Sequence, residues 1–204
     1  MKTGVLPEIL VAGMPNSGTS FMTELVAKAT GLSPGPARGL KGADGHNPHG
    51  YWEYLPLRNY IWQHTGGTFN ERKVPSLPLP YKEAQAKWIA SIAKAANVQV
   101  FKCFKLPWIY SWFGEPRKVV MISRRIYTLY ERYYKPAGLE PNEYRAAHTQ
   151  YYDLAARHLD EQWDMLWITY EEFCIHQREA MAKVCDFLGR PFKPELLEIW
   201  RPRC

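Results

Sequence analysis

Apolar residues gather into four short runs along the chain, separated by longer stretches with helical spacing. Residues 9–13 (ILVAG), 98–103 (VQVFKC), 118–123 (KVVMIS) and 165–169 (MLWIT) are the runs. Runs that are short and apolar on nearly every position predict strands buried on both faces, not the one-sided alternation of a solvated hairpin. Helical spacing covers 20–30, which stops at Gly31, then the Ala-rich 81–97, then 124–135 and 142–160. A last helix over 177–188 is closed by Gly189, with Pro191 just beyond. Short buried strands alternating with helices predict an α/β fold in three layers. A central, mostly parallel sheet of four to five strands would carry helices on both faces, in a single domain over 1–204. Ligands of such sheets bind at the carboxyl ends of the strands.

Two segments break the pattern. Residues 33–50 and 65–80 are rich in Gly and Pro and read as long loops of the kind that cover binding sites. Composition excludes several classes. With 204 residues, 46% of them hydrophobic and 23% charged, the chain can bury a real core, and it is neither disordered, collagenous nor coiled coil as a whole. Its apolar runs fall short of the ~18 residues of a membrane span. The start of the chain, broken by Pro7 and Glu8, does not read as a secretory signal. Cys103, Cys174, Cys185 and Cys204 lack metal-ligand spacing, so free thiols in the cytoplasm and no metal are expected. The net charge of +6 is concentrated: residues 101–135 hold eight basic residues against two acidic, which accounts for the entire excess. An anion site in or near that stretch is one explanation, and a generic basic face is the other.

The strongest local signal follows the first strand. Gly13-Met-Pro-Asn-Ser-Gly-Thr-Ser20 links strand to helix with the spacing of a nucleotide phosphate loop. Amides at such a junction point outward together and, with the helix dipole, cradle an anion. Thr19 stands where nucleotide triphosphatases carry their lysine, which argues against ATP hydrolysis and a nucleotide-kinase reading.

GMPNSGTS resembles the 5′-phosphosulfate loop of the sulfotransferases, whose usual form is GxP[RK]SGT[ST]. Four further segments resemble the same P-loop-like family in its own order. They are His46–Glu53 (HNPHGYWE), Lys105-Leu-Pro107, the strand–Arg–helix of 119–134, and YEEF at 170–173 with CDFLG at 185–189. The resemblance implies 3′-phosphoadenosine 5′-phosphosulfate as sulfate donor. Pro15, Asn16, Ser17, Gly18, Thr19 and Ser20 would hold its 5′ end, Arg124 its 3′-phosphate with Arg132 nearby, and Tyr170 its adenine. Arg132 stands where the family usually has serine, and Asn16 where it has Lys or Arg.

The implied reaction is in-line transfer of a sulfuryl group to a hydroxyl or amine of a small-molecule or glycan acceptor, with no nucleic acid, no membrane and no metal. It needs a base and a cation. Glu53 is the first candidate for the base, flanked by Trp52 and Tyr54; His49 and His46 are the others. Lys105 is expected to stabilise charge, with Lys102 as its fallback. Trp52, Tyr54, Trp62, Phe69, Trp108, Tyr110 and Trp112 are candidates to line the acceptor site. Asn16 also motivates a second reading, a nucleotide-binding module with impaired catalysis.

Overall fold

The computed structural model describes residues 7–44, 50–65, 78–113, 118–160 and 163–199. Four strands form one sheet: β1 (Ile9–Ala12), β2 (Val100–Lys102), β3 (Lys118–Ser123) and β4 (Asp164–Thr169). Their order is β2-β1-β3-β4, and every pairing is parallel. The register sets Ile9 opposite Val100 and Lys118, and Ser123 opposite Thr169.

Side-chain alternation along the strands builds two cores, because successive residues of a strand face opposite ways. Ile9, Val11, Val100, Val120, Ile122 and Ile168 pack with α1 (Thr19–Thr30), α7 (Tyr170–Ile175) and α8 (Gln177–Phe187). Leu10, Ala12, Phe101, Val119 and Met121 pack against the other layer. That layer contains α2 (Leu55–His64), α3 (Glu83–Ala95), α4 (Leu106–Ile109) and α6 (Pro141–His158). The expected three-layer α/β architecture is what forms, with four strands among the described residues.

The differences from the sequence reading are local. The helix expected over 124–135 is a short α5 (Ile126–Leu129) that widens into a π-helical turn, Tyr130–Tyr134, where the Lys135 amide donates to the Tyr130 carbonyl at 2.9 Å. Trp108 and Trp112, candidates for an acceptor site, are core residues only 3% and 1% exposed. Among the described residues no helix is long and apolar enough to cross a membrane.

Candidate functional site

The phosphate loop lies at the carboxyl end of β1 and delivers the chain into α1. Gly18 caps the helix at φ +102, with no side chain capping the terminus and no acidic residue in the first turn. Its amide dipoles therefore face outward without an internal counter-charge. The glycine is required on two counts: a Cβ there would sit 2.6 Å from the Tyr170 ring, and the backbone angle is one that L side chains rarely adopt. Asn16 is exposed and left-handed at φ +67, a conformation asparagine tolerates better than lysine or arginine.

Three tyrosines hold the loop from behind. The Gly13 amide donates to Tyr151 Oη at 3.1 Å and the Met14 amide to Tyr152 Oη at 3.3 Å. Tyr152 in turn donates to the Ile122 carbonyl, and Tyr134 donates to the Pro15 carbonyl. Burial pushes the Tyr152 phenol up to about 12, against the opposing pull of the Met14 amide and Ser17 hydroxyl. Ser17 Oγ is fully buried close to that phenol, without a hydrogen bond of good geometry among the described residues.

The charged centre sits beside the start of α1. Lys102 is the last residue of β2 and shares the α1 face with Val100, two positions earlier. Its Nζ donates to Ser20 Oγ at 3.0 Å and pairs with Glu53 Oε1 at 2.8 Å. Arg58 Nη1, one turn into α2, holds Glu53 Oε2 at 3.1 Å. Lys102 and Glu53 are both buried. Burial lowers the Lys102 pKa, partly countered by Glu53. Glu53 is fixed through its backbone as well: its carbonyl accepts from the Lys41 amide, and Leu40 bridges to Tyr54. The residue before it, Trp52, has φ +53, a genuine outlier for a bulky side chain. Strain of this kind costs about 1–3 kcal/mol and concentrates at functional sites.

Lys105 follows β2 and is likewise buried; desolvation lowers its pKa. Its Nζ donates to Thr65 Oγ1 at 2.6 Å, at the end of α2. Cys103 lies between the two charged groups. Burial raises its thiol to about 12, Lys105 pulls it down and Glu53 pushes it up, so both act at the β2 end.

Arg124 begins where β3 ends. Its guanidinium carbon lies 4.2 Å over the Tyr170 ring, and Tyr170 is itself buried against the phosphate loop. A capping box fixes the start of α7: Thr169 Oγ1 accepts from the Glu172 amide, and the Glu172 carboxylate accepts from the Thr169 amide. Glu171 accepts from the Arg125 amide, tying the β3 end to α7. Above them opens a cleft of about 650 Å³ lined by Arg124, Arg125, Arg145, His148, Thr149 and Glu171. Burial lowers the His148 pKa, and its hydrogen bond with the Arg124 backbone opposes this.

The structure thus brings Ser20, Glu53 and Lys102 into contact, holds Lys105 on Thr65 at the end of α2, and places Arg124 and Tyr170 on the flank of the same loop. Arg132 is exposed on the π turn against Tyr133. His46, His49 and Phe69 lie outside the described residues. Sequence reasoning ranked Lys102 behind Lys105; it allowed that Glu53 pairs with an arginine but did not single out Arg58, the one that holds it. The period-2 pattern was the available signal: Val100 points to the α1 side, so Lys102 must too. The clamping tyrosines were legible only as a consecutive pair, Tyr151-Tyr152, on a helix facing the sheet.

Neither a family model nor a curated protein matches this sequence. Solved structures do match its fold. The sulfotransferase domain of the curacin biosynthetic pathway superposes with a TM-score of 0.55 at 19% identity, over 98% of this chain and 80% of that one. The sulfotransferase domain of the Synechococcus PCC 7002 olefin synthase gives 0.53 at 16%, over 96% and 78%. The sulfotransferase STF1 of Mycobacterium tuberculosis H37Rv gives 0.54 at 12%, over 96% and 71%. The chain has the sulfotransferase fold.

Proposed function

We propose that this chain is a single-domain sulfotransferase that takes a sulfuryl group from 3′-phosphoadenosine 5′-phosphosulfate and passes it to a hydroxyl or amine of a small-molecule or glycan acceptor. One observation carries the reading. An uncapped twelve-residue helix opens onto a buried lysine that is paired with a buried carboxylate, all at the carboxyl ends of parallel strands. A helix terminus of this kind favours a phosphate-like anion, and a cation and a carboxylate side by side supply what group transfer to a hydroxyl demands.

The residues present fit the donor. Gly13 and Gly18 keep the loop free of Cβ atoms where neighbours approach closest, so the backbone passes tight to Ile122 and Tyr170. The loop from Pro15 to Ser20 would hold the 5′ end. Arg124 and the cleft beside it would take the 3′-phosphate, with Arg132 further along the π turn; Tyr170, which lies under Arg124, would contact the adenine. The donor supplies an activated sulfur–oxygen bond to a phosphate leaving group.

Glu53 accepts the proton of the acceptor hydroxyl as the oxygen bonds to sulfur. The bond to the phosphate oxygen breaks, and its electron pair stays on that oxygen. Lys102 and Lys105 neutralise the charge that gathers there. No metal is required in this scheme, because two lysines provide the positive charge.

Calorimetric titration with 3′-phosphoadenosine 5′-phosphate, followed by transfer of labelled sulfate to a panel of acceptors, tests the reading. Binding together with transfer is expected. Glu53→Gln should abolish transfer and keep nucleotide binding. Absence of binding at millimolar nucleotide refutes the proposal. The uncharged Asn16, at the position of a cation worth ~10²–10³ in rate, favours the second reading of an impaired binding module. Binding without transfer to any acceptor and without donor hydrolysis would select it.

A further inference from the structure

The phosphate loop carries no positive charge of its own: Asn16 occupies the exposed left-handed position, and the loop from Gly13 to Ser20 contains neither Lys nor Arg. A cation nevertheless reaches the helix terminus, from the neighbouring strand. Lys102 touches Ser20 Oγ, but its charge is taken up by Glu53 at 2.8 Å. Glu53, for its part, has one oxygen on Lys102 and the other on Arg58. As they stand, the lysine is neutralised and the carboxylate has both oxygens engaged. The two groups the reaction needs are each blocked by the other.

We infer that Lys102 replaces the missing loop cation and is stored as an ion pair with Glu53. An anion arriving at the α1 terminus draws Lys102 off Glu53 Oε1 and so releases the base. The inference rests on the donor reading above and deepens it. The exchange is cheap for an anion and costly for anything else. A buried ion that loses its only partner is strongly destabilised, whereas one that trades one anion for another stays compensated. Lys102 is already stripped of most of its water, so it does not have to be dehydrated again on meeting the ligand. Ser20 lies at the first turn of α1, so the lysine need not leave that turn to reach an anion held there. Arg58 stays on Oε2 and keeps the carboxylate in place while Oε1 becomes open to a proton. The arrangement couples donor binding to base release and leaves Glu53 blocked in the free protein.

A double-mutant cycle on nucleotide affinity tests this without reference to turnover, using 3′-phosphoadenosine 5′-phosphate as the probe. Lys102→Met should weaken binding tenfold or more. Glu53→Gln should tighten it severalfold, because Lys102 no longer has a competing anion. In the Lys102→Met background, Glu53→Gln should change nothing. Asn16→Lys should restore binding to Lys102→Met. A Glu53→Gln gain of equal size with and without Lys102 overturns the inference, as does wild-type affinity in Lys102→Met. Should Lys102→Met fail to fold, weaker binding by Glu53→Gln than by wild type overturns it on its own. No binding by the wild-type protein overturns the donor reading and this inference together, while binding without coupling overturns this inference alone.

Discussion

Gly18→Ala is the sharpest test of the phosphate-loop geometry. Two penalties apply at this position. The backbone sits at φ +102, and placing an L side chain in a left-handed conformation costs roughly 1–2 kcal/mol. The new Cβ would also stand 2.6 Å from Tyr170 Cδ2 and 3.1 Å from Ile122 Cδ1. Tyr170 is 6% exposed and lies under the Arg124 guanidinium, so its ring cannot swing clear at low cost. Overpacking of that kind costs about 1–3 kcal/mol. Loss of unfolded-state freedom returns about 0.4–1 kcal/mol. The net destabilisation is roughly 1–5 kcal/mol, which at about 2–4 °C per kcal/mol lowers Tm by roughly 2–20 °C.

Gly31→Ala is the matched control. Gly31 ends the same helix at φ +73, but nothing lies within 4 Å of where its Cβ would be. It carries the backbone penalty alone, so a loss of about 1 kcal/mol is expected, a Tm change of about 2–4 °C. Thermal unfolding of both variants, alongside urea midpoints, separates the steric part from the conformational part. Equal shifts in the two proteins would refute the close packing of Tyr170 on the loop. The site offers a second readout: Gly18→Ala should weaken nucleotide binding through the displaced Tyr170–Arg124 pair, and Gly31→Ala should not.

Tyr151→Phe removes the partner of the buried Gly13 amide, and leaving such a donor unsatisfied costs about 1–3 kcal/mol; a urea midpoint unchanged from wild type would show that the amide finds another acceptor. Acid stability should depend on Glu172: burial alone would raise its carboxyl, but hydrogen bonds from Thr169 and Lys183 prevail and hold it below its ordinary value. A depressed folded-state pKa gives stability that is complete above the unfolded value of about 4.3 and lost as pH falls through the lower folded value, so Glu172→Gln should be less stable than wild type at pH 7 and approach it in strong acid. A constant difference across pH would mean that the carboxylate charge contributes nothing. Arg124→Ala should weaken 3′-phosphoadenosine 5′-phosphate far more than adenosine 5′-phosphate in competition titrations, and equal losses would remove Arg124 from the 3′-phosphate.

The strands and the loop were legible because they are local and periodic. All four apolar runs became strands, each within two residues of its expected ends, since a parallel sheet covered on both faces leaves an unbroken apolar signature. The loop announced itself through Gly13 and Gly18, and the structure shows why neither can carry a side chain. Short elements were missed: α4 has four residues and α7 six, too few to show a helical period. The π turn was hidden for a different reason. Its tyrosines have helical spacing, and the wide turn is set by what Tyr130 and Tyr134 reach, namely the Leu139 and Pro15 carbonyls. The Glu53–Lys102 pair joins two segments remote in sequence, and no pattern along the chain encodes it. Sequence placed Glu53 among aromatic neighbours that would desolvate it; folding adds two cations to it, which changes how the carboxylate can be used.

The basic stretch over 101–135 shows the same gap between chain proximity and spatial proximity. Read along the sequence, its eight cations form one patch. The parallel register divides them. Lys118 stands at the amino end of β3, opposite Ile9 and Asp164, and is spent on Asp164 and the Phe187 carbonyl. Lys135 is exposed and paired with Glu131 on its own turn. Lys102 and Lys105 come off the carboxyl end of β2, Arg124 and Arg125 off the carboxyl end of β3, and β1 runs between those two strands with the phosphate loop at its own carboxyl end. Two pairs of cations therefore flank the one loop that has none. A scattered basic face would leave such a loop without charge. In this fold the sheet order supplies it from both sides, with Lys102 from β2 already in contact with Ser20 where the loop enters α1.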